Sequence, residues 1–112
     1  MNAETAAVAA FPELRRLIDL REVGWVFLPT VVDGRVVEVH GVRTWPHGWA
    51  DAIRVRFITD AAALRCDYTG GITWERDGGL VEVVDELLML PEPGQRLAPH
   101  LVMGRAPTLW AP

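Results

Sequence analysis

Two β-rich runs, Val23–Val32 and Arg35–Thr44, flank the dipeptide Asp33-Gly34. Asp-Gly between two such runs is among the strongest short hairpin signals, because a type I′ turn needs positive φ at both central residues. A two-residue loop also sets the register, so Val32 faces Arg35, Leu28 faces Val39, Phe27 faces His40 and Pro29 faces Glu38. One face of the predicted ribbon is then Val26, Leu28, Thr30, Val37 and Val39, assigned to the core. The opposite face carries Trp25, Phe27, Val31, Val36 and Val42. That face is too apolar for open water, and a helix, the C-terminal tail or a second subunit is expected to cover it.

The segments around the hairpin change period. From Ala3 to about Leu20 the pattern is helical, with Leu14, Leu17 and Ile18 at i, i+3 and i+4. Pro12 suits a first helical turn, which makes Ala3–Ala10 a separate piece. Asp51–Thr59, Leu64–Tyr68 and Ile72–Arg76 alternate with period two and read as strands. A three-residue loop at Thr69-Gly70-Gly71 aligns Cys66 with Trp74 and Arg65 with Glu75, with a glycine in the left-handed position. The expected inner face is Ile53, Val55, Phe57, Leu64, Cys66, Tyr68, Ile72 and Trp74. The expected outer face is Arg54, Arg56, Arg65, Asp67, Thr73 and Glu75. Gly79–Leu90 returns to a helical period and stops at Pro91, Pro93 and Gly94. The remainder, 95–112, is a proline-punctuated apolar tail.

These elements predict one α+β domain over 1–112, with an N-terminal helix and a five-stranded antiparallel meander sheet. A C-terminal helix packs on the sheet, and an extended apolar tail follows. The chain of 112 residues is long enough for a self-sufficient core. Its single cysteine, Cys66, forms no disulfide framework, which fits a reducing compartment. No secretory signal pattern and no membrane-span-length apolar run is read, so the expected location is cytoplasmic, without membrane association. The formal charge of −4 and the scattered arginines argue against nucleic acid.

The chain has neither lysine nor serine; all 11 basic residues are arginine. That excludes Schiff-base, phosphate-loop and serine-nucleophile chemistry. A genome with a bias toward arginine, alanine and glycine codons explains the pattern as well as any function does. No catalytic residue and no cofactor is assigned. His40, His47, His100 and Cys66 lack the paired spacing of zinc ligands, so no metal is assigned either.

Two sets of candidate residues remain. Trp45, His47 and Trp49, in a turn set by Pro46 and Gly48, are candidates for gripping a flat or cationic ligand, with Arg54 or Arg56 holding an anionic group. The competing reading is a pair of tryptophans folded back as packing anchors. Trp25, Phe27, Val36, Val42, Leu101, Met103, Leu109 and Trp110 are candidates for an interface. The tail must dock either on its own sheet or on a partner's. The expected function is a non-catalytic protein-interaction module, homodimeric, with a partner whose surface is basic. Immunity and antitoxin proteins are its analogue in size and charge only. The alternative is a small-molecule binding domain, and less readily an enzyme, using the Trp45-His47-Trp49 loop.

Overall fold

The computed structural model describes residues 3–105. Two helices lead, α1 (Ala3–Ala10) and α2 (Arg15–Glu22), separated by a 3₁₀ turn at Pro12–Leu14. Strands β1 (Val26–Val32), β2 (Arg35–Thr44), β3 (Ala50–Phe57), β4 (Asp60–Cys66) and β5 (Gly71–Gly78) follow, then α3 (Leu80–Met89) and the short strand β6 (Gly104–Arg105). The six strands form one antiparallel sheet in sequence order. The fold is therefore α+β, with α3 packed on a meander sheet, as expected. The sixth strand comes from the tail. Met103 N–H donates to Ile72 O (2.7 Å), and Gly71 and Ile72 pair with Arg105 and Gly104. Through Arg105 the tail thus docks on its own sheet. No helix among the described residues is long and apolar enough to cross a membrane.

One face of the sheet is covered by helices. Leu20 of α2 and Leu80, Val83, Val84 and Leu87 of α3 bury against Trp25, Ile53, Val55, Ala61 and Ala63. The alanines on β4 are small enough for α3 to approach the sheet closely. The start of α3 is tethered where Leu80 N–H donates to Ile58 O (2.9 Å) in the β3–β4 turn. Arg16 of α2 pairs with both Asp19 and Asp85 and so ties α2 to α3.

The structure corrects the predicted register in two places. At the Asp33-Gly34 turn both residues have positive φ (51° and 74°), and Val32 faces Arg35 as the dipeptide requires. A bulge then inserts Val37 on β2, so Leu28 faces His40, Phe27 faces Gly41 and Pro29 faces Val39. The faces exchange with it. Trp25 and Phe27 turn toward the helices with stacked rings, while Val26 and Leu28 are left exposed on the other side. The slip seats the Phe27 ring over a residue without a side chain: a Cβ on Gly41 would lie 2.7 Å from Phe27 Cδ1 and 2.9 Å from Ile53 Cγ2.

The second correction concerns β4. It begins at Asp60, four residues earlier than expected, because Ala61-Ala62-Ala63 is a strand despite alanine's weak β propensity. Ala61, Ala63 and Arg65 face the helices, and Leu64 and Cys66 face away. Arg65 therefore pairs with Trp74 instead of Glu75, and Cys66 with Ile72 instead of Trp74. The connecting turn spans Asp67–Gly70, wider than the expected loop, because the Asp67 carboxylate organises it. Asp67 Oδ1 accepts from Thr69 N–H (2.9 Å), Thr69 Oγ1 (2.6 Å) and Gly71 N–H (3.0 Å), and Gly70 takes positive φ as expected. Phe57 and Tyr68, expected on the inner face, are exposed.

Candidate functional site

β3 divides the functional chemistry between two faces. Asp51, Ile53 and Val55 turn toward the helices; Ala52, Arg54 and Arg56 turn to the face that no helix covers, here called the open face.

On the helical side, Asp51 and Arg65 pair directly across β3 and β4. Arg65 Nε donates to Asp51 Oδ1 (2.6 Å) and Nη2 to Oδ2 (3.0 Å), a bidentate fork with both side chains buried. Arg65 Nη1 donates to the carbonyl of Pro91, just past the end of α3. The indole N–H of Trp45 donates to Asp51 Oδ2 (3.0 Å), and the Arg43 guanidinium lies 4.0 Å over the Trp45 ring. Among the described residues no buried side-chain polar atom lacks a partner. The network is closed upon itself, and what it does is lock the sheet to the loop after α3. Sequence reading missed it by placing Arg65 on the wet face.

The Trp45-Pro46-His47-Gly48-Trp49 segment closes where Trp45 N–H donates to Trp49 O (2.8 Å). His47 is exposed at the tip with φ of 65°. Trp49 is half-buried. The five candidate ligand residues are not brought together. Trp45 belongs to the Asp51 network, His47 stands in solvent, and Arg54 and Arg56 lie on the opposite face of the sheet.

The open face gathers different residues. Glu38 and His40 of β2 stand beside Arg56 and Arg54 of β3. Arg56 Nε donates to Glu38 Oε1 (2.9 Å), Arg54 Nε lies 3.6 Å from the same oxygen, and His40 Nε2 meets Glu38 Oε2. Burial alone would push the Glu38 carboxyl up; the contacts to His40 and Arg56 outweigh it and hold the carboxyl below its ordinary value. Next to this cluster lies a groove of about 540 Å³ lined by Arg54, Ala62, Leu64, Ile72, Glu75 and Asp77. Its floor continues into a shallow apolar cluster of Ala52, Leu64 and Ile72 with Val42 and Cys66 beside them. Burial, with the charges of Asp67 and Asp51, raises the Cys66 thiol above its ordinary value. Among the described residues no three His, Cys, Asp or Glu side chains converge as a metal site.

The candidate interface residues divide as well. Trp25, 4% exposed, and Phe27 belong to the core of the helical side and have little surface to offer. Val42 lies on the open face. Val36, Leu101 and Met103 are exposed at 59%, 73% and 62%. Leu109 and Trp110 fall outside the described residues. Exposed residues that sequence reading did not single out include Val26 and Leu28 of β1 and Asp77 of β5, beside Glu75, which was expected on a wet face. The signal for Val26 and Leu28 was present, since both hairpin faces are apolar; only the bulge decides which one is free.

No protein-family model, curated protein or solved structure matches this chain.

Proposed function

We propose that this chain is a non-catalytic protein-interaction module that acts as a homodimer and engages a further protein of basic surface. The observation that carries the reading is the exposed apolar surface of the first hairpin. Val26 and Leu28 on the open face, and Val31, Val32, Val36 and Val37 around the hairpin end, are each roughly half to two-thirds exposed, with the paired Val31 and Val36 on the side of Phe27. Soluble monomers seldom leave apolar patches beyond a few hundred Å² uncovered, and burial returns about 25 cal/mol per Å² of apolar area. The formal charge of −4 favours a basic partner through steering and register. A role of the immunity or antitoxin kind agrees with this in size and charge alone.

The test is affinity capture from lysate of the source cells with three full-length baits: wild type, Val31→Glu/Val36→Glu, and His47→Ala. The expected result is one specific protein held by wild type and His47→Ala and lost by the double variant. Capture that ignores the valines overturns the reading. So does a small molecule that quenches wild-type tryptophan fluorescence but not that of His47→Ala, since it would place the function in the Trp45-His47-Trp49 loop.

A further inference from the structure

We propose that the open face of the sheet pairs with the same face of a second copy about a two-fold axis running along β4. This rests on the interaction-module reading above and names the occupant of one of its surfaces.

A two-fold interface must be complementary to itself: each positive group on one side of the axis has to meet a negative group from the other side, and no charge can sit on the axis. The centre of the open face has that pattern. β3 carries Arg54 there, whereas Arg56 is paired with Glu38 of its own chain. β5 carries Glu75 and Asp77, both exposed and without an ion pair among the described residues. Between them, the centre of β4 presents Ala62, Leu64 and Cys66, which bear no charge to repel their own copies, while Asp60 lies at the exposed start of the strand.

The register turns the pattern into a match. Arg54 pairs with Ala62, and Ala62 with Asp77, so Arg54 and Asp77 stand at one level on either side of β4. Turning a second copy over about β4 places Arg54 above the Asp77 carboxylate of that copy, and the reverse. Ala52 and Glu75 flank Leu64 in the same way, which sets Glu75 diagonally from the opposing Arg54. Stacked sheets lie about 10 Å apart with strands inclined by about 30°, a spacing that an arginine and an aspartate reaching toward each other can bridge. The groove over β4 provides room for the opposing side chains. The same operation carries β1, with exposed Val26 and Leu28, past the second copy's β5 toward its exposed Leu101–Met103 stretch.

The experiment uses full-length Arg54→Asp and Asp77→Arg, alone and mixed, with native mass spectrometry and light scattering for size and circular dichroism for folding. Wild type is expected to be a dimer. Each single variant sets like charges against each other twice per dimer, and its dissociation constant should rise about a hundredfold or more. An equimolar mixture should re-form dimers that contain one copy of each variant. In such a dimer the introduced aspartate meets the introduced arginine, and the unchanged Arg54 of one copy meets the unchanged Asp77 of the other. Pairing of these groups within one chain cannot produce that rescue. If Arg54→Asp fails to fold beside Glu38, Arg54→Gln replaces it and the mixed dimer is again expected over Asp77→Arg alone. A monomeric wild type, or folded single variants whose mixture stays monomeric, overturns the proposal. A monomer that still captures its protein partner through the hairpin valines removes the dimer and leaves only the partner-binding part of the module reading standing, whereas a dimer with no such capture removes that part and keeps this proposal.

Discussion

Asp51 and Arg65 meet across neighbouring strands as a bidentate ion pair, 3% and 0% exposed, beneath the end of α3. Two charges leave water at considerable cost, and the cost is met because every buried polar atom of the pair is bonded, with the Trp45 indole also on Asp51 and the Pro91 carbonyl on Arg65. The pair links three otherwise separate pieces of chain, the β2–β3 loop, the centre of the sheet and the exit from α3.

Removing one member leaves the other buried and alone. Arg65→Leu is expected to destabilise the fold by about 3–5 kcal/mol, and Arg65→Leu/Asp51→Leu by much less, since no unpaired charge remains. Urea unfolding of the two variants checks this. A single substitution as mild as the double one would show that water reaches the pair.

Gly41 is required for space and not for backbone freedom. A β-carbon there would overlap the Phe27 ring and the Ile53 methyl, so Gly41→Ala should cost about 1–3 kcal/mol through overpacking. Combining it with Phe27→Leu should restore part of that loss. Thermal melts of the single and double variants are the measurement.

Asp67 is held ionised chiefly by the Thr69 hydroxyl; burial opposes this, and the backbone N–H groups of Thr69 and Gly71 and the charge of Arg105 add to the lowering, so its pKa lies below the ordinary value. A depressed carboxyl contributes stability that is present above its unfolded value, about 3.9, and is lost as pH falls through the folded value. Wild type should therefore lose stability more steeply than Asp67→Asn below about pH 4. Parallel acid limbs in a pH series of denaturation midpoints would refute the assignment.

Cys66 sits half-buried on the open face with its thiol pKa raised, chiefly by burial and further by the nearby carboxylates. Alkylation of the native protein near pH 8 should be slower than that of the urea-unfolded chain, since the thiolate is the reacting form. Dilution through the dimer dissociation range should speed it, because Cys66 lies on the proposed axis. Equal rates native and unfolded would contradict the raised pKa.

The order and type of the main elements were legible in the chain, and so were the Asp33-Gly34 turn and a left-handed glycine in the β4–β5 turn, though not that turn's length. Asp33-Gly34 and Gly70 took the left-handed conformations expected of them, since their backbone requirement is local. What was misread has a physical cause in each case. The first hairpin is apolar on both faces, so a one-residue bulge at Val37 can exchange the faces without any violation of the period-two pattern. The alanines of β4 carry little strand signal, and overlooking them moved the assumed β3–β4 register and sent Arg65 to the wrong side. The Asp51–Arg65 pair could not be seen because an alternating charge on a strand reads as solvated unless its partner is known.

By itself the sequence determined the meander order, the hairpin turn, the helix that closes the core and the absence of lysine and serine chemistry. Those properties depend on neighbours a few residues apart. Only the tertiary structure decided which face of the sheet the helices cover, where Arg65 is buried, and that β3 and β5 present opposite charges on either side of Ala62 and Leu64. Each of these depends on register between strands, where a shift of one residue reverses every side chain at a cost that only the assembled core can set.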